Sequence, residues 1–211
     1  MAELHRFYAT TARGIEDVLV SELKEILSDA PGAKVQAGRS GASFEGTLES
    51  AYRVCLWSRV ANRVLLPLKS FAATDPDRLY GGVRAIHWTD HLDPEQTIAV
   101  DFTSSQTPGL AHTHFGALKT KDAICDQFVA VKGSRPSVDT FSPDVRVNVH
   151  VETGQATVSL DLSGGSLHRR GYREEGARAP LKETLAAAIL RLAEWPAVAA
   201  QGGAFIDGMC G

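Results

Sequence analysis

The sequence predicts an α+β protein built in successive parts, and three observations carry that expectation. Short apolar runs of strand length alternate with helical stripes over residues 4–66. Four valines alternate strictly with polar residues from Val145 to Val151, and the texture turns to Gly, Ser, Arg and Glu between Ser163 and Ala179. The first pattern sets a mixed fold, the second a hairpin with one buried face, and the third a boundary.

Leu4 to Thr10 is short and carries aromatic residues, as a strand would. Ile15, Val18, Leu19, Leu23, Ile26 and Leu27 then recur with helical spacing, and Asp29-Ala30-Pro31-Gly32 stops that helix. Extended pieces follow near Val35 and Phe44. Leu48, Ala51, Tyr52, Cys55 and Leu56 draw a second helical stripe before a strand at Val64-Leu65-Leu66. The order β-α-β-β-α-β is that of a ferredoxin-like unit. Asp75-Pro76-Asp77 opens a helix through Leu79, Val83 and Ile86, and Ile98, Val100 and Phe102 alternate as in a half-buried strand. A helix is expected from Thr120 to Val131. After Thr153-Gly154, Ala156, Val158, Leu160 and Leu162 complete the hairpin. Beyond the boundary, Leu181, Leu185, Ile189 and Leu192 predict a helix ended by Trp195-Pro196, and Ala204-Phe205-Ile206-Asp207 reads as a strand entering a glycine-bearing loop.

Composition limits what such a chain can do. With 44% hydrophobic and 22% charged residues it has the make-up of a folded protein rather than a disordered one. Its 22 basic residues face 25 acidic ones, a net charge of -3, so no global positive field holds it on a polyanion and any nucleic-acid contact must come from local clusters. Three widely spaced cysteines make neither a disulfide framework nor a zinc knuckle, and no apolar run reaches the roughly 18 residues needed to span a bilayer. The N-terminus has no apolar run of the signal-peptide kind, and a cytoplasmic location is expected. His112 and His114 share one side of an extended segment, but no carboxylate or cysteine stands beside them at ligand spacing. Asp93, Asp101 and Asp139 stand apart from other carboxylates, so no acid/base pair is apparent. Trp57, Trp88 and Trp195 each end or follow an apolar stripe and are expected as core or interdomain anchors.

Two clusters could hold a polyanion. Arg169, Arg170, Arg173, Arg178 and Lys182 face only Glu174 and Glu175, with Tyr172 interleaved, which offers phosphate pairing and base stacking. The alternative is a solvated linker with incidental charge. If Thr120 caps the expected helix, Lys119 and Lys121 flank its N-terminus, where they oppose the macrodipole and, with free amides, form an anion site. Two surface lysines on a loop is the plainer alternative. Lys132 and Arg135, at the other end, complement the dipole but could also face a phosphate.

The block Ala179-Pro180-Leu181-Lys182-Glu183-Thr184-Leu185-Ala186-Ala187-Ala188-Ile189-Leu190, followed by Phe205-Ile206-Asp207-Gly208-Met209-Cys210-Gly211, resembles the paired opening motifs of amino-methylating, S-adenosylmethionine-dependent RNA methyltransferases. With Phe7-Tyr8-Ala9-Thr10, Lys119-Thr120-Lys121-Asp122-Ala123-Ile124 and Arg135-Pro136-Ser137-Val138-Asp139, nearly the whole chain is similar to bacterial 23S ribosomal RNA guanine-N2-methyltransferases that carry a THUMP domain. The resemblance implies three parts: residues 1–65 a ferredoxin-like domain, 66–165 a THUMP RNA-binding domain, and 166–211 a linker with the truncated start, first helix and strand, of a Rossmann-like methyltransferase. Asp207, Gly208, Cys210 and Gly211 would begin its S-adenosylmethionine loop. Gly208 stands where the family usually has proline.

The resemblance implies an RNA-holding chain, inactive alone and a poor binder of the cofactor, whose parent methylates large-subunit ribosomal RNA. Its RNA contacts would be Lys119, Thr120, Lys121, Lys132, Arg135, Arg169, Arg170, Tyr172 and Arg173. A self-standing THUMP adaptor and the front of a tRNA-modifying THUMP enzyme are the alternatives. For want of a sheet to pack on, the helix after Lys182 is expected to fray, rearrange or dock on a neighbouring molecule.

Overall fold

The computed structural model describes residues 3–30, 32–171 and 181–208. They fall into two compact units, Met1–Val64 with Gly165–Gly211, and Leu65–Gly164. The segment expected as a third part thus clusters with the first 64 residues.

In the first unit, β1 (His5–Thr10), α1 (Glu16–Ile26), β2 (Val35–Gly38), β3 (Gly41–Gly46) and α2 (Leu48–Trp57) follow one another as the sequence predicts. The strands order as β2-β3-β1, all antiparallel. Phe7 of β1 sits opposite Phe44 of β3, their rings stacked with centroids 5.2 Å apart, and both are fully buried with Leu19 and Leu23 of α1. That cluster is the natural outcome of period-2 strands laid on a helical stripe.

Thr47 caps α2 by accepting from the Ser50 N–H, and Ser50 returns the bond. The face α2 buries overlaps the expected one only at Ala51. Ala51 and Val54 point inward, whereas Leu48, Tyr52 and Leu56 face out, and Trp57, expected as an anchor, is 64% exposed. Small inward residues let α2 lie close to the sheet, and the larger apolar stripe is turned to the outside.

Helices α5 (Glu183–Leu192) and α6 (Trp195–Ala200) complete this unit. Helix α5 ends at Leu192, ahead of Trp195-Pro196, and that pair opens a further short helix: Glu194 takes a left-handed conformation, φ 52°, and Pro196 stands in the first turn of α6. Ala204–Asp207 is not a strand, and Phe205 and Ile206 are exposed. A strand needs a hydrogen-bonded neighbour, and none of the described strands pairs with this segment.

The second unit holds β4 (Arg63–Ala72) apart from its first two residues, α3 (Pro76–Arg84), β5 (Thr97–Ser105), α4 (Thr113–Lys132), β6 (Ser137–Val138), β7 (Val145–Glu152) and β8 (Gln155–Asp161). The order is β4-β8-β7-β5-β6, with β5 parallel to β6 and β7 and the other pairs antiparallel. Helix α4 is therefore the crossover that a parallel pair requires. The valine ladder is core as expected: Val147, Val149 and Val151 are fully buried with Ala156, Val158, Trp88, Ile98, Ile124 and Phe128. Thr153 and Gly154 both take positive φ, 47° and 76°, the turn that suits strand twist. The Gly154 N–H donates to Thr107 Oγ1 at 2.9 Å, which ties the turn down.

Helix α4 starts seven residues before the predicted position. His112 caps it, accepting the Phe115 N–H on Nδ1 at 3.2 Å. The early turns were hard to read because Phe115 and Leu118 face outward and the inward contact is made by Gly116, where a Cβ would lie 2.4 Å from the Phe102 ring. At the far end Gly133 closes α4 in a left-handed conformation, φ 73°.

Candidate nucleic-acid interface

Thr120 is not a cap. It is fully buried in the interior of α4, so Lys119 and Lys121 flank no helix N-terminus and no free amides stand between them. The anion site inferred from that geometry is corrected: both lysines already have partners. Lys119 Nζ lies 5.9 Å from the ring centroids of Tyr80 and of Phe115 and 3.9 Å from Asp77 Oδ1. The Arg84 guanidinium is 6.0 Å from the same Tyr80 ring, whose hydroxyl donates to Asp126 at 2.7 Å, a bond that raises the Tyr80 pKa. Lys121 Nζ is 2.6 Å from Asp122 Oδ1.

The C-terminal end of α4 differs. Lys132 closes the last turn and Arg135 follows Gly133; both are exposed, and among the described residues neither is paired with a carboxylate. The connection from here to β7 also carries a residue the sequence reading passed over. Phe141 is 96% exposed. Its surroundings are nevertheless fixed. The Asp139 carboxylate accepts the Phe141 N–H at 2.8 Å and the Ser142 N–H at 3.1 Å, and the Asp139 N–H donates to Ile98 O at 3.2 Å.

The next carbonyl, Thr140 O, accepts from Arg146, whose guanidinium also binds Asp101 Oδ1 and Gly164 O. Asp144 accepts the Thr97 N–H and hydroxyl, both at 2.8 Å. Backbone N–H bonds, from Ser142 first and then Phe141, hold the Asp139 carboxyl below its ordinary range, and the Thr97 N–H does the same for Asp144. Asp139-Thr140-Phe141-Ser142 is an Asx-turn sequence, and a bulky aromatic inside one was the available signal.

In the first unit, Arg169 is exposed while Arg170 is engaged by its own chain. The Arg170 guanidinium donates to Leu56 O at 2.7 Å, Cys55 O at 2.9 Å, Ser58 O at 2.6 Å and Leu167 O at 3.1 Å. The carbonyls of Cys55, Leu56 and Ser58 lie at and just beyond the C-terminal end of α2, where a cation also meets the helix dipole favourably. The head group sequence reasoning offered to RNA thus serves as a clasp on that end. Tyr172, Arg173 and Arg178 lie outside the described residues.

Helix α5 is formed and packs on α1 of the same unit. Thr184 is buried, its hydroxyl donating to Asn62 Oδ1 at 2.9 Å. Arg191 bonds both Glu25 oxygens, at 3.1 and 3.0 Å, and reaches Glu22 Oε1 at 3.4 Å. Glu22 is buried and receives the Ser58 hydroxyl at 2.6 Å and the N–H groups of Arg59 and Val60 at 3.1 Å. A buried carboxylate needs such a set of donors.

Of the proposed cofactor loop, Asp207 and Gly208 are exposed, while Cys210 and Gly211 lie outside the described residues. A Rossmann-type cradle needs a paired strand to deliver the loop. Residues 203–207 are assigned to no strand, so among the described residues no paired strand delivers that loop.

Comparison with known proteins divides the chain in order. Residues 6–65 match the model of the RlmL ferredoxin-like domain, 73–161 that of the THUMP domain, and 170–211 that of the RMKL-like methyltransferase domain. A protein of Methylococcus capsulatus named ribosomal RNA large subunit methyltransferase K/L is 55% identical over 97% of this chain and 27% of its own length. Its namesake in Pseudomonas aeruginosa is 51% identical over 100% of this chain and 28% of its own length. The chain thus spans 27% to 28% of the length of these curated relatives.

Among solved structures, SMU.472, a putative methyltransferase complexed with SAH, matches with a TM-score of 0.77 at 29% identity, over 92% of this chain and 50% of its own. A predicted N6-adenine-specific DNA methylase from Listeria monocytogenes gives 0.76 at 28%, over 90% and 48%.

Proposed function

We propose that this chain, which matches the RlmL ferredoxin-like, THUMP and RMKL-like methyltransferase domains in that order, is the RNA-holding portion of a methyltransferase acting on the N2 amine of a guanine in large-subunit ribosomal RNA. The observation that carries this reading is the ordered run of three domain matches together with identities above half to proteins named for ribosomal RNA methylation. The division of labour follows from the chemistry. Methyl transfer to a ring amine needs the base out of its stack and close to the methyl donor, while the affinity that holds the strand comes from phosphate and stacking contacts elsewhere.

When bound in the longer protein, S-adenosylmethionine supplies the methyl group. The role of the residues described here is to grip and orient RNA. The THUMP unit offers Lys132, Arg135 and the exposed Phe141 on one connection, and the first unit offers Arg169. With a net charge of -3 the chain has no long-range field to add, so binding depends on those local contacts.

The test is a gel-shift series with a structured fragment of large-subunit ribosomal RNA at increasing salt. Expected are affinity that falls steeply with salt and no methyl transfer by this chain alone. Absence of a shift even at low salt overturns the reading.

A further inference from the structure

We propose that Phe141 is a stacking platform for an unpaired RNA base, with Lys132 and Arg135 as phosphate contacts of the same strand. This rests on the RNA-holding reading and names where in the THUMP unit the strand is gripped.

The first support is the exposure itself. Burying a phenylalanine ring stabilises a fold, and Phe141 forgoes nearly all of that gain at 96% exposed. The second is rigidity. A side chain stranded on a slack loop would need ordering before it could bind, but the backbone at Phe141 is held on both sides, by Asp139 through the N–H groups of Phe141 and Ser142, and by Arg146 through Thr140 O. A ring set out in advance on a pinned turn loses little entropy when a flat partner settles on it.

The third support is charge. The end of α4 and the connection to β7 present two exposed cations with no carboxylate partner among the described residues, while Asp139 and Asp144 each turn one oxygen to the chain itself, on backbone N–H groups and on Thr97. An exposed aromatic face on a connection that also carries two exposed cations matches a base with its phosphates. A protein partner would need to bring acidic groups of its own.

The experiment uses the whole chain and a single-stranded RNA carrying 2-aminopurine, whose fluorescence quenches on stacking. Wild-type protein is compared with Phe141→Ala and Phe141→Leu, thermal melts confirming that each is folded. Expected are quenching by the wild type, about tenfold weaker binding for Phe141→Ala, and a comparable loss with no quenching for Phe141→Leu, which keeps apolar area but has no π-face. Binding unchanged in Phe141→Ala, or restored in full by leucine, overturns the stacking role while leaving the RNA-holding reading standing. If the wild type binds no RNA, that reading falls and this inference with it. Self-association abolished by Phe141→Ala without an effect on RNA affinity would assign the ring to a second copy of the chain and also overturn it.

Discussion

The middle of α4 and its C-terminal end carry the same kinds of side chain and put them to different uses. Lys119 and Lys121 are each met, the first by two aromatic rings and Asp77, the second by Asp122. Lys132 and Arg135 face outward with no such partner among the described residues. Arg170 of the first unit stands at the extreme of the first kind, its guanidinium bonded to four carbonyls. In a chain without net positive charge, what matters to a phosphate is therefore not how many cations the sequence places nearby but how many the fold leaves unspent.

The sharpest break of that contrast is Arg170→Ala. It strips the bonds from the carbonyls of Cys55, Leu56, Ser58 and Leu167, and the expected loss is about 2 kcal/mol of stability, read in urea unfolding followed by circular dichroism. RNA affinity measured on the folded fraction should hardly change, and a large loss of affinity with intact stability would move Arg170 to the other class.

Next in size is the pair of double variants. Lys132→Ala with Arg135→Ala is expected to weaken single-stranded RNA binding by about 1 kcal/mol and to lower the salt slope by roughly 1.4, two phosphate contacts' worth, with an unchanged melting temperature. Lys119→Ala with Lys121→Ala should leave the salt slope nearly as it was. The opposite ranking in fluorescence titrations would invert the comparison.

The smallest effect is one of pH. The folded-state pKa of Asp139 is held below its ordinary value by the Ser142 and Phe141 N–H groups. Its contribution to holding the turn is therefore complete above the unfolded carboxylate pKa and fades as pH falls through the lower, folded value. Amide exchange at Phe141 and Ser142 should stay protected across the neutral and mildly acid range and loosen only below about pH 4, after correction for intrinsic rates. Loosening already near pH 6 would show that Asp139 does not hold the ring in place.

Local pattern decided which features could be read from the residues alone. The hairpin was legible because Val147, Val149 and Val151 alternate with polar residues and Thr153-Gly154 supplies the turn. The β-α-β-β-α-β order was legible because each element of the first unit carries its own period. Helix α4 was misjudged at its start because its early inward contact is a glycine, which periodicity counts as nothing. The stripe on α2 was drawn partly on the wrong side because Leu48, Tyr52 and Leu56 dominate it in size, while closeness of packing chose Ala51, which the stripe included, and Val54, which it did not. Two-residue β6 has no period to detect.

The site was harder still. Whether an arginine is spent on carbonyls 112 to 115 residues away is a property of the fold, as Arg170 shows, and the outward set of Phe141 depends on Arg146 and Ile98 as well as on its own turn.

The clamp of Arg191 on Glu25 and the buried Glu22 makes the seat of α5 on α1 behave as a weld rather than a swivel. Lifting α5 away would strand Glu22 without its cation and uncover the Thr184–Asn62 bond at the same time. A load arriving through α5 would accordingly be passed on to α1 and the strands beneath it instead of dissipating at the joint. In a longer relative, the segment matching the methyltransferase would then start from a fixed bearing on the ferredoxin-like sheet, and leverage rather than slack would govern how the two ends of such a protein feel each other.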